Sequence, residues 1–233
     1  MRISHKFTLA FSALALAASL GMPQAGAEDM MKLKIGTEGA YPPFNELKTD
    51  GSLVGFDIDI AKALCVEMKA ECEFITQEWD GIIPALQAGK FDAIIASMSI
   101  TEERLEKVDF SKKYYNTPPA VAVPKDSTIT EATDAALAGK LLGAQSSTTH
   151  SNYAEEKLGS AKLKLYPTPD EYKLDIANGR IDAVIDDVIV LSEWLQKEDG
   201  ACCKILGTLT PDPVINGGEA LVSPSVQTKT GGT

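Results

Sequence analysis

The sequence has few basic residues and no long apolar run after its first residues. Lys and Arg together number 22 against 33 Asp and Glu, which gives a formal net charge of −11. A surface of this sign repels nucleic acid and anionic lipid, so we expect neither as a partner. No segment after residue 27 reaches the roughly 20 apolar residues that a membrane helix needs. The sequence therefore predicts a soluble mature protein.

Residues that metal sites and common hydrolytic sites require are also scarce. His150 is the only histidine after residue 27, and no Gly-x-Ser-x-Gly motif marks a nucleophile elbow. The four cysteines form two close pairs, Cys65 with Cys72 and Cys202 with Cys203. No second ligand pair follows at the spacing of a zinc site. We therefore predict no metal, no cofactor and no catalytic activity.

The first 27 residues have the pattern of a secretory signal peptide. Arg2 and Lys6 precede an apolar stretch at 7–20, and small residues at 25–27 form a cleavage site. We expect export and a mature chain that begins at Glu28.

An exported chain permits disulfides between its cysteines. Seven residues of unbroken helix separate two Cα atoms by about 10 Å, which is too far for a disulfide. Cys65 and Cys72 can therefore bond only if the helix predicted around Cys65 stops before Cys72. For Cys202 and Cys203, a vicinal disulfide and two thiols both remain open.

The most informative feature that the sequence does contain is an internal repeat. LQAGKFDAIIAS at 86–97 is similar to IANGRIDAVIDD at 176–187. Each copy predicts a helix that ends at a glycine in the left-handed backbone conformation, Gly89 or Gly179. A strand buried on both faces then follows. Because strands and helices alternate along the chain, we predict an α/β protein whose mostly parallel sheets are flanked by helices. Two related lobes would then face each other across a cleft.

Polar residues follow the buried strands, where open parallel sheets bind ligands. Ser97 and Ser99 follow the first copy, and Asp186 and Asp187 end the second. Arg104 falls in the first turn of a helix capped by Thr101, where a cation is unfavourable, so we expect it to bind a carboxylate. Asp187 lies among apolar residues and needs a cationic partner such as an ammonium group. Together they predict a site for the two charged groups of an amino acid.

Competing interpretations exist for both charges. Arg104 could form a surface ion pair with Glu103 or Asp109. Asp186 or Asp187 could instead cap the following helix.

Three further residues lie in or beside polar turns near the predicted first and second strands. Tyr41 and Trp79 could stack on a ligand side chain, and on a cationic one especially well, or could simply pack in the core. Glu38 could pair with a distal positive charge of the ligand, or could be a solvated turn carboxylate.

Several segments resemble the polar amino-acid binding proteins of bacterial ABC importers. They are EGAYPPF at 38–44, GFDID at 55–59, WDGIIP at 79–84, SMSITEER at 97–104 and the paired Cys65 and Cys72. The branch for lysine, arginine, ornithine and histidine is the most similar, over about residues 32–216. The resemblance implies a type II periplasmic binding fold with lobe one at 28–117 and lobe two at 118–213. It further implies a periplasmic monomer that closes around a cationic amino acid and delivers it to an ABC permease.

The resemblance also implies a role for each site residue. Arg104 would bind the ligand carboxylate with help from a backbone amide near Ser99 and from Thr148. Asp187 and Ser97 would bind the α-ammonium.

The ligand side chain has its own implied contacts. Tyr41 and Trp79 would flank it, and Glu38 would contact its distal cation. The loop at 145–149 would line the site, although Ser147 replaces a more usual glycine.

The C-terminal residues depart from the pattern of the family. Residues 214–233 hold an Ile-Asn-Gly turn and then Ser, Thr and Gly without helical period, so we expect an atypical, truncated return to lobe one. This lobe would lose a strand and its covering helices, which would expose apolar surface. A single-base slip near Gly218 would produce such a terminus, since codons able to encode 221–233 can encode a family-like sequence in a shifted frame.

Two alternatives to a receptor for cationic amino acids remain open. One is an exported enzyme on the same fold, such as a dehydratase. The other is a receptor for an opine or for a neutral polar amino acid such as glutamine, because both ligands would use the same carboxylate and ammonium contacts.

Overall fold

A computed structural model describes residues 30–210, 212 and 218–225 of the chain. The strands are β1 (Met31–Thr37), β2 (Ala40–Tyr41), β3 (Asn45–Leu47), β4 (Leu53–Val54), β5 (Ala70–Thr76), β6 (Ala93–Ile94), β7 (Val108–Phe110), β8 (Pro119–Pro124), β9 (Leu141–Gln145), β10 (Lys162–Tyr166), β11 (Ala183–Asp187), β12 (Cys203–Thr208) and β13 (Val222–Pro224). The helices are α1 (Phe56–Glu67), α2 (Ile82–Gln87), α3 (Glu102–Leu105), α4 (Thr149–Lys157), α5 (Pro169–Ala177) and α6 (Val188–Trp194), and a 3-10 turn at Trp79–Gly81 precedes α2. The predicted signal peptide lies outside the described residues.

The strands form two five-stranded sheets with related topology. The first has the order β5-β1-β6-β13-β7 and the second the order β10-β9-β11-β8-β12, while β2, β3 and β4 form a small antiparallel sheet. In each large sheet the first three strands of the order are parallel. The prediction of an α/β protein with mostly parallel sheets and flanking helices is confirmed.

The internal repeat occupies equivalent positions in the two sheets. Gly89 follows α2 with φ 71°, and Gly179 follows α5 with φ 68°. The strands that come next, β6 and β11, are each third in their sheet order and pair in parallel with β1 and β9 respectively. Both glycines therefore close a helix in the left-handed conformation, as the sequence predicts.

Apolar clusters cover both faces of the second sheet, which explains the continuous apolar runs. On β11, Ile185 packs with Leu142 and Ala154 on the face under α4. Its neighbour Val184 packs with Tyr172 and Leu191 on the opposite face, under α5 and α6. Successive side chains of a strand point to opposite faces, so both must be apolar here.

Some element boundaries differ from those that the sequence pattern indicates. The apolar run at 181–185 predicts a strand there, whereas β11 extends from Ala183 to Asp187 and includes both aspartates. A helix is predicted to start at Trp79, but the first turn is 3-10 and α2 begins at Ile82. Boundaries shift because the register with neighbouring strands, rather than local composition, decides which residues pair.

The expectation that the first sheet loses a strand was wrong. Val222–Pro224 forms β13, which lies between β6 and β7 and is antiparallel to both. The expected apolar surface is nevertheless present on this sheet. A groove of about 390 Å³ is lined by apolar side chains including Leu33, Leu64 and Met68, and Met68 is 46% exposed.

Both cysteine pairs are bonded. α1 ends at Glu67 and Lys69 turns the chain with φ 52°, so the Cα atoms of Cys65 and Cys72 lie 6.2 Å apart and the implied disulfide is confirmed. Cys202 and Cys203 form a vicinal disulfide. Among the described residues, no helix is long and apolar enough to cross a membrane.

Candidate functional site

The eight residues predicted to contact a ligand all line one cavity between the two large sheets. The cavity has a volume of about 30 Å³. Six further residues line it, namely Ala96, Tyr115, Gln145, Thr149, His150 and Glu219. Pockets for drug-sized ligands usually measure about 300 to 1,000 Å³, so the walls must move apart to admit an amino acid.

Hydrogen bonds across the cleft hold the two sheets together at this cavity. The indole Nε1 of Trp79 and the Nη2 of Arg104 each donate to the carbonyl oxygen of Ser147, both at 3.0 Å. Beside them, the hydroxyl of Ser146 donates to the carboxylate of Asp80 at 2.9 Å. The loop after β9 is thus bonded to the segments before α2 and within α3, and the structure shows the closed arrangement.

Arg104 lies in the first turn of α3, whose N-cap Thr101 accepts a hydrogen bond from the Arg104 backbone amide. Its Nη1 donates to the carbonyl of Ser99 at 2.9 Å, and its guanidinium carbon lies 5.3 Å from the Trp79 ring centroid. Burial lowers the pKa of Arg104 to about 10, so it stays charged at neutral pH. The surface pair with Glu103 was the wrong interpretation, because Glu103 accepts from Lys107 at 2.7 Å while Arg104 is only 9% exposed.

The hydroxyl groups near Arg104 already have partners. Ser97 adopts φ 52° and donates to Asp57 at 2.8 Å, and Ser99 donates to Glu219 at 3.2 Å. Thr148 caps α4 in a reciprocal pair of hydrogen bonds with Ser151. These hydroxyls are therefore held in place by the fold before any ligand arrives.

Asp57 is a buried carboxylate that holds the cavity-lining Ser97 in place. It accepts from Tyr114 at 2.6 Å, from Asn45 at 3.0 Å and from Ser97. Asn45 in turn accepts from the backbone amide of Gly39, next to Glu38. Burial raises the pKa of Asp57 above its ordinary value against the effect of these hydrogen bonds.

The two aspartates at the end of β11 have different partners. Asp187 caps α6 by accepting from the amides of Ile189 and Val190 at 2.7 and 3.3 Å, so the capping interpretation holds for it. Its other oxygen accepts from the hydroxyl of Thr117 and the residue still lines the cavity. Burial raises the pKa of Asp187 above its ordinary value.

Asp186, by contrast, joins the two halves of the cleft. It accepts from the hydroxyl of Tyr41 at 2.5 Å, from the hydroxyl of Tyr172 and from its neighbour's backbone amide at 2.8 Å. The Nδ1 atom of His150 lies 3.3 Å away. Tyr41 is thus both part of the cavity wall and a donor across the cleft.

Glu38, which was predicted to contact the distal cation of the ligand, lines the same cavity. Its Oε1 accepts from the amide nitrogen of Gln145 at 2.6 Å. Burial raises the pKa of Glu38 to about 7. A carboxyl with this pKa is costly to ionise where it stands, and a cation beside it would favour the ionised form.

Similarity to known proteins shows which family the chain belongs to. The family model for bacterial extracellular solute-binding proteins, family 3, matches residues 33–155. The L-arginine-binding protein of Pseudomonas aeruginosa is 42% identical over 189 residues, which span 80% of this chain and 71% of that protein. This chain belongs to the family 3 solute-binding proteins.

Two further proteins are similar to this solute-binding protein. The octopine-binding periplasmic protein of Rhizobium meliloti is 38% identical over 209 residues, which span 80% of this chain and 71% of the relative. A solved periplasmic binding protein of Salmonella typhimurium with high arginine specificity superposes with a TM-score of 0.77 at 33% identity, covering 84% of this chain and 87% of that one. The predicted type II periplasmic binding fold is confirmed.

Sequence reasoning missed several residues that line or organise the site of this solute-binding protein. Asp57 belongs to the quoted GFDID segment, and its position at a helix start gave no sign of three side-chain donors. Asp186 was expected at the strand end, with helix capping as its alternative, but its bonds to Tyr41 and Tyr172 were not foreseen. Gln145 belonged to the predicted loop without a role of its own, and Glu219 lies in the segment expected to be atypical. Among the described residues, no group of three or more His, Cys, Asp or Glu could hold a metal ion.

Proposed function

We propose that this chain is the extracytoplasmic receptor of an ABC amino-acid importer and binds a cationic amino acid, with arginine as the first candidate. The main support is that one cavity, at the strand ends of two sheets, is lined by all eight residues that were predicted to contact the same ligand. Open parallel sheets bind ligands at these ends. The names of the arginine-binding relatives support the choice of ligand.

At one end of the cavity, Arg104 would bind the ligand carboxylate. Its guanidinium group donates to the carbonyl oxygens of Ser99 and Ser147, which are neutral acceptors. A carboxylate is a stronger acceptor for a guanidinium and takes two parallel hydrogen bonds. When the lobes separate, the bond to Ser147 across the cleft breaks and one side of the fork becomes available. Thr148, at the start of α4, lies on the facing wall.

The ligand's two positive charges would meet acidic groups further along the cavity. Asp187 keeps one oxygen on the α6 amides and one on Thr117, and the α-ammonium would bind beside it with Ser97. The side chain would extend between Tyr41 and Trp79 towards Glu38. A guanidinium there offsets the cost of ionising Glu38, whose pKa burial raises to about 7.

The remaining parts of the proposal concern location and transport. We place the protein in the periplasm as a monomer that binds its ligand without chemical change and hands it to a membrane permease. Lobe one would comprise 28–117 with the returning segment, and lobe two 118–213. Closure of the two lobes is a hinge motion in which binding supplies the free energy.

Thermal unfolding of residues 28–233 with single added ligands tests the proposal. A ligand at 100 times its dissociation constant adds about 2.7 kcal/mol of apparent stability. We expect arginine, lysine, ornithine or histidine to raise the unfolding temperature and glutamine to leave it unchanged. A rise with octopine alone would replace the ligand class. Recovery of a chemically altered ligand, measured by mass spectrometry, would replace the receptor by an enzyme.

A further inference from the structure

Asp186 is a buried carboxylate that the proposed ligand contacts do not use. It is 3% exposed and lies in β11, next to Asp187. Its Oδ1 accepts from the hydroxyl of Tyr41 at 2.5 Å and from the backbone amide of Asp187 at 2.8 Å. Its Oδ2 accepts from the hydroxyl of Tyr172. Both carboxylate oxygens therefore have hydrogen-bond donors in the closed arrangement.

Two basic residues also lie near this carboxylate. His150, in the first turn of α4, has its Nδ1 atom 3.3 Å from the Oδ1 of Asp186. Lys173, in α5, is 6% exposed; burial lowers its pKa, and the negative charge of Asp186 opposes this effect. Both elements pack on the second large sheet, so these residues stay with Asp186 when the cleft opens. Among the described side chains that donate a hydrogen bond to Asp186, only Tyr41 comes from the other half of the cleft.

Tyr41 contacts both halves of the cleft and lines the cavity. It ends β2 of the small sheet, and its ring belongs to an apolar cluster with Phe44 and with Val190 of α6. Burial raises the pKa of Tyr41 well above its ordinary value, and the negative charge of Asp186 raises it further. The hydroxyl therefore keeps its proton and acts as the donor.

The hydrogen bond between Tyr41 and Asp186 depends on closure of the cleft. The two residues are 145 positions apart in the chain and belong to different sheets, so a hinge motion that separates the halves breaks the bond. A hydrogen bond to a charged group changes an equilibrium constant about 10- to 100-fold. Ligand affinity includes the closing equilibrium, so loss of this bond should weaken every ligand by the same factor.

We infer that Asp186 is a positioning residue: it holds Tyr41 by the phenol hydroxyl and thereby couples the wall that flanks the ligand side chain to closure of the cleft. The inference rests on the proposed function, which places a ligand side chain beside Tyr41. It adds to that function a residue that acts through Tyr41 without touching the ligand.

The test compares Tyr41→Phe, Asp186→Asn and the double variant by calorimetric titration with arginine and lysine. Phenylalanine keeps the ring and removes only the hydroxyl. We expect Tyr41→Phe to raise the dissociation constant of each ligand that the wild type binds about 10- to 100-fold, by the same factor for each. In the Asp186→Asn background the same change should have an effect at least about fivefold smaller, because a neutral amide is the weaker acceptor.

The matched control is Tyr172→Phe, which removes the same kind of hydrogen bond to Asp186 within one half of the cleft. It should lower the free energy of unfolding and leave the dissociation constants unchanged. A second measurement, near-ultraviolet difference absorption, follows the tyrosines directly. Arginine should give a tyrosine difference signal in the wild type and in Tyr172→Phe that is lost in Tyr41→Phe. This comparison needs no substitution of the buried carboxylate.

Three results would overturn the inference and leave the proposed function standing. They are an unchanged affinity and tyrosine signal in Tyr41→Phe, an equal effect of Tyr41→Phe in both backgrounds, and a loss of affinity in Tyr172→Phe as large as that in Tyr41→Phe. Failure of the wild type to bind any cationic amino acid would overturn the proposed function and, with it, the inference.

Discussion

Arginine binding should release protons from Glu38, and the amount follows from its surroundings. In the closed arrangement, burial raises the pKa of Glu38 from 4.5 to about 7. A carboxyl with a raised pKa binds more protons folded than unfolded between those two values. Its contribution to stability is therefore full below about pH 4.5 and is lost as the pH rises towards 7. A ligand guanidinium beside Glu38 should reverse this loss, because it favours the ionised form.

The size of the effect comes from the pKa difference. A difference of one pKa unit corresponds to about 1.4 kcal/mol, so ionising Glu38 in the closed, unliganded cavity costs about 3 kcal/mol. If the guanidinium returns the pKa to 4.5, affinity should rise about 140-fold between pH 4.5 and 8. At pH 7 about half of the unliganded closed molecules carry the proton, so binding should release about 0.5 proton per arginine. Opening of the cleft exposes Glu38 to water and lowers both figures.

Calorimetry at pH 7 in buffers of different ionisation enthalpy measures the released protons directly. The observed enthalpy plotted against buffer enthalpy has a slope equal to the number released. Glu38→Gln should reduce the slope to zero, and a ligand with a neutral side chain should give no release with the wild type. The reasoning fails if wild type and Glu38→Gln release the same number of protons.

The remaining predictions concern Arg104, which would bind the ligand carboxylate, and the backbone conformation of two glycines. Arg104→Lys should raise the dissociation constant about 30- to 100-fold in calorimetry, because a point charge replaces the planar fork, whereas the exposed Arg180→Lys should not change it. Gly55→Ala should lower the free energy of unfolding in urea by about 2 to 4 kcal/mol, since φ is 121° and the new Cβ would lie 2.3 Å from the carbonyl oxygen of Phe44. Gly51→Ala, with φ 84° and no atom within 4 Å, should cost only about 1 kcal/mol, and equal losses would contradict the steric argument.

Local sequence pattern was enough to predict the architecture and the position of the site. The repeat around Gly89 and Gly179 predicts helix ends and buried strands because glycine stereochemistry and apolar periodicity act over a few residues. The rule that ligands bind at the carboxyl ends of parallel strands then selects Ser97 and Ser99 in one copy and Asp186 and Asp187 in the other. All eight predicted residues line one cavity, although their ligand contacts remain proposals.

The same local patterns could not predict the partners of these side chains. Asp187 and Asp186 are adjacent in sequence, yet one caps α6 and the other accepts from Tyr41, 145 residues away. The strand β13 was missed because nothing in its composition shows the gap between β6 and β7 that it fills.

The sequence by itself therefore determined the α/β fold, the cleft and the types of charge around it, since each depends on short-range pattern. Tertiary structure alone decided which charges meet. Glu219 contacts Ser99 across 120 residues of chain, and Asp57 joins Asn45, Ser97 and Tyr114 only after folding. Hydrogen bonds and pKa shifts of this kind depend on distance and burial, and the fold sets both.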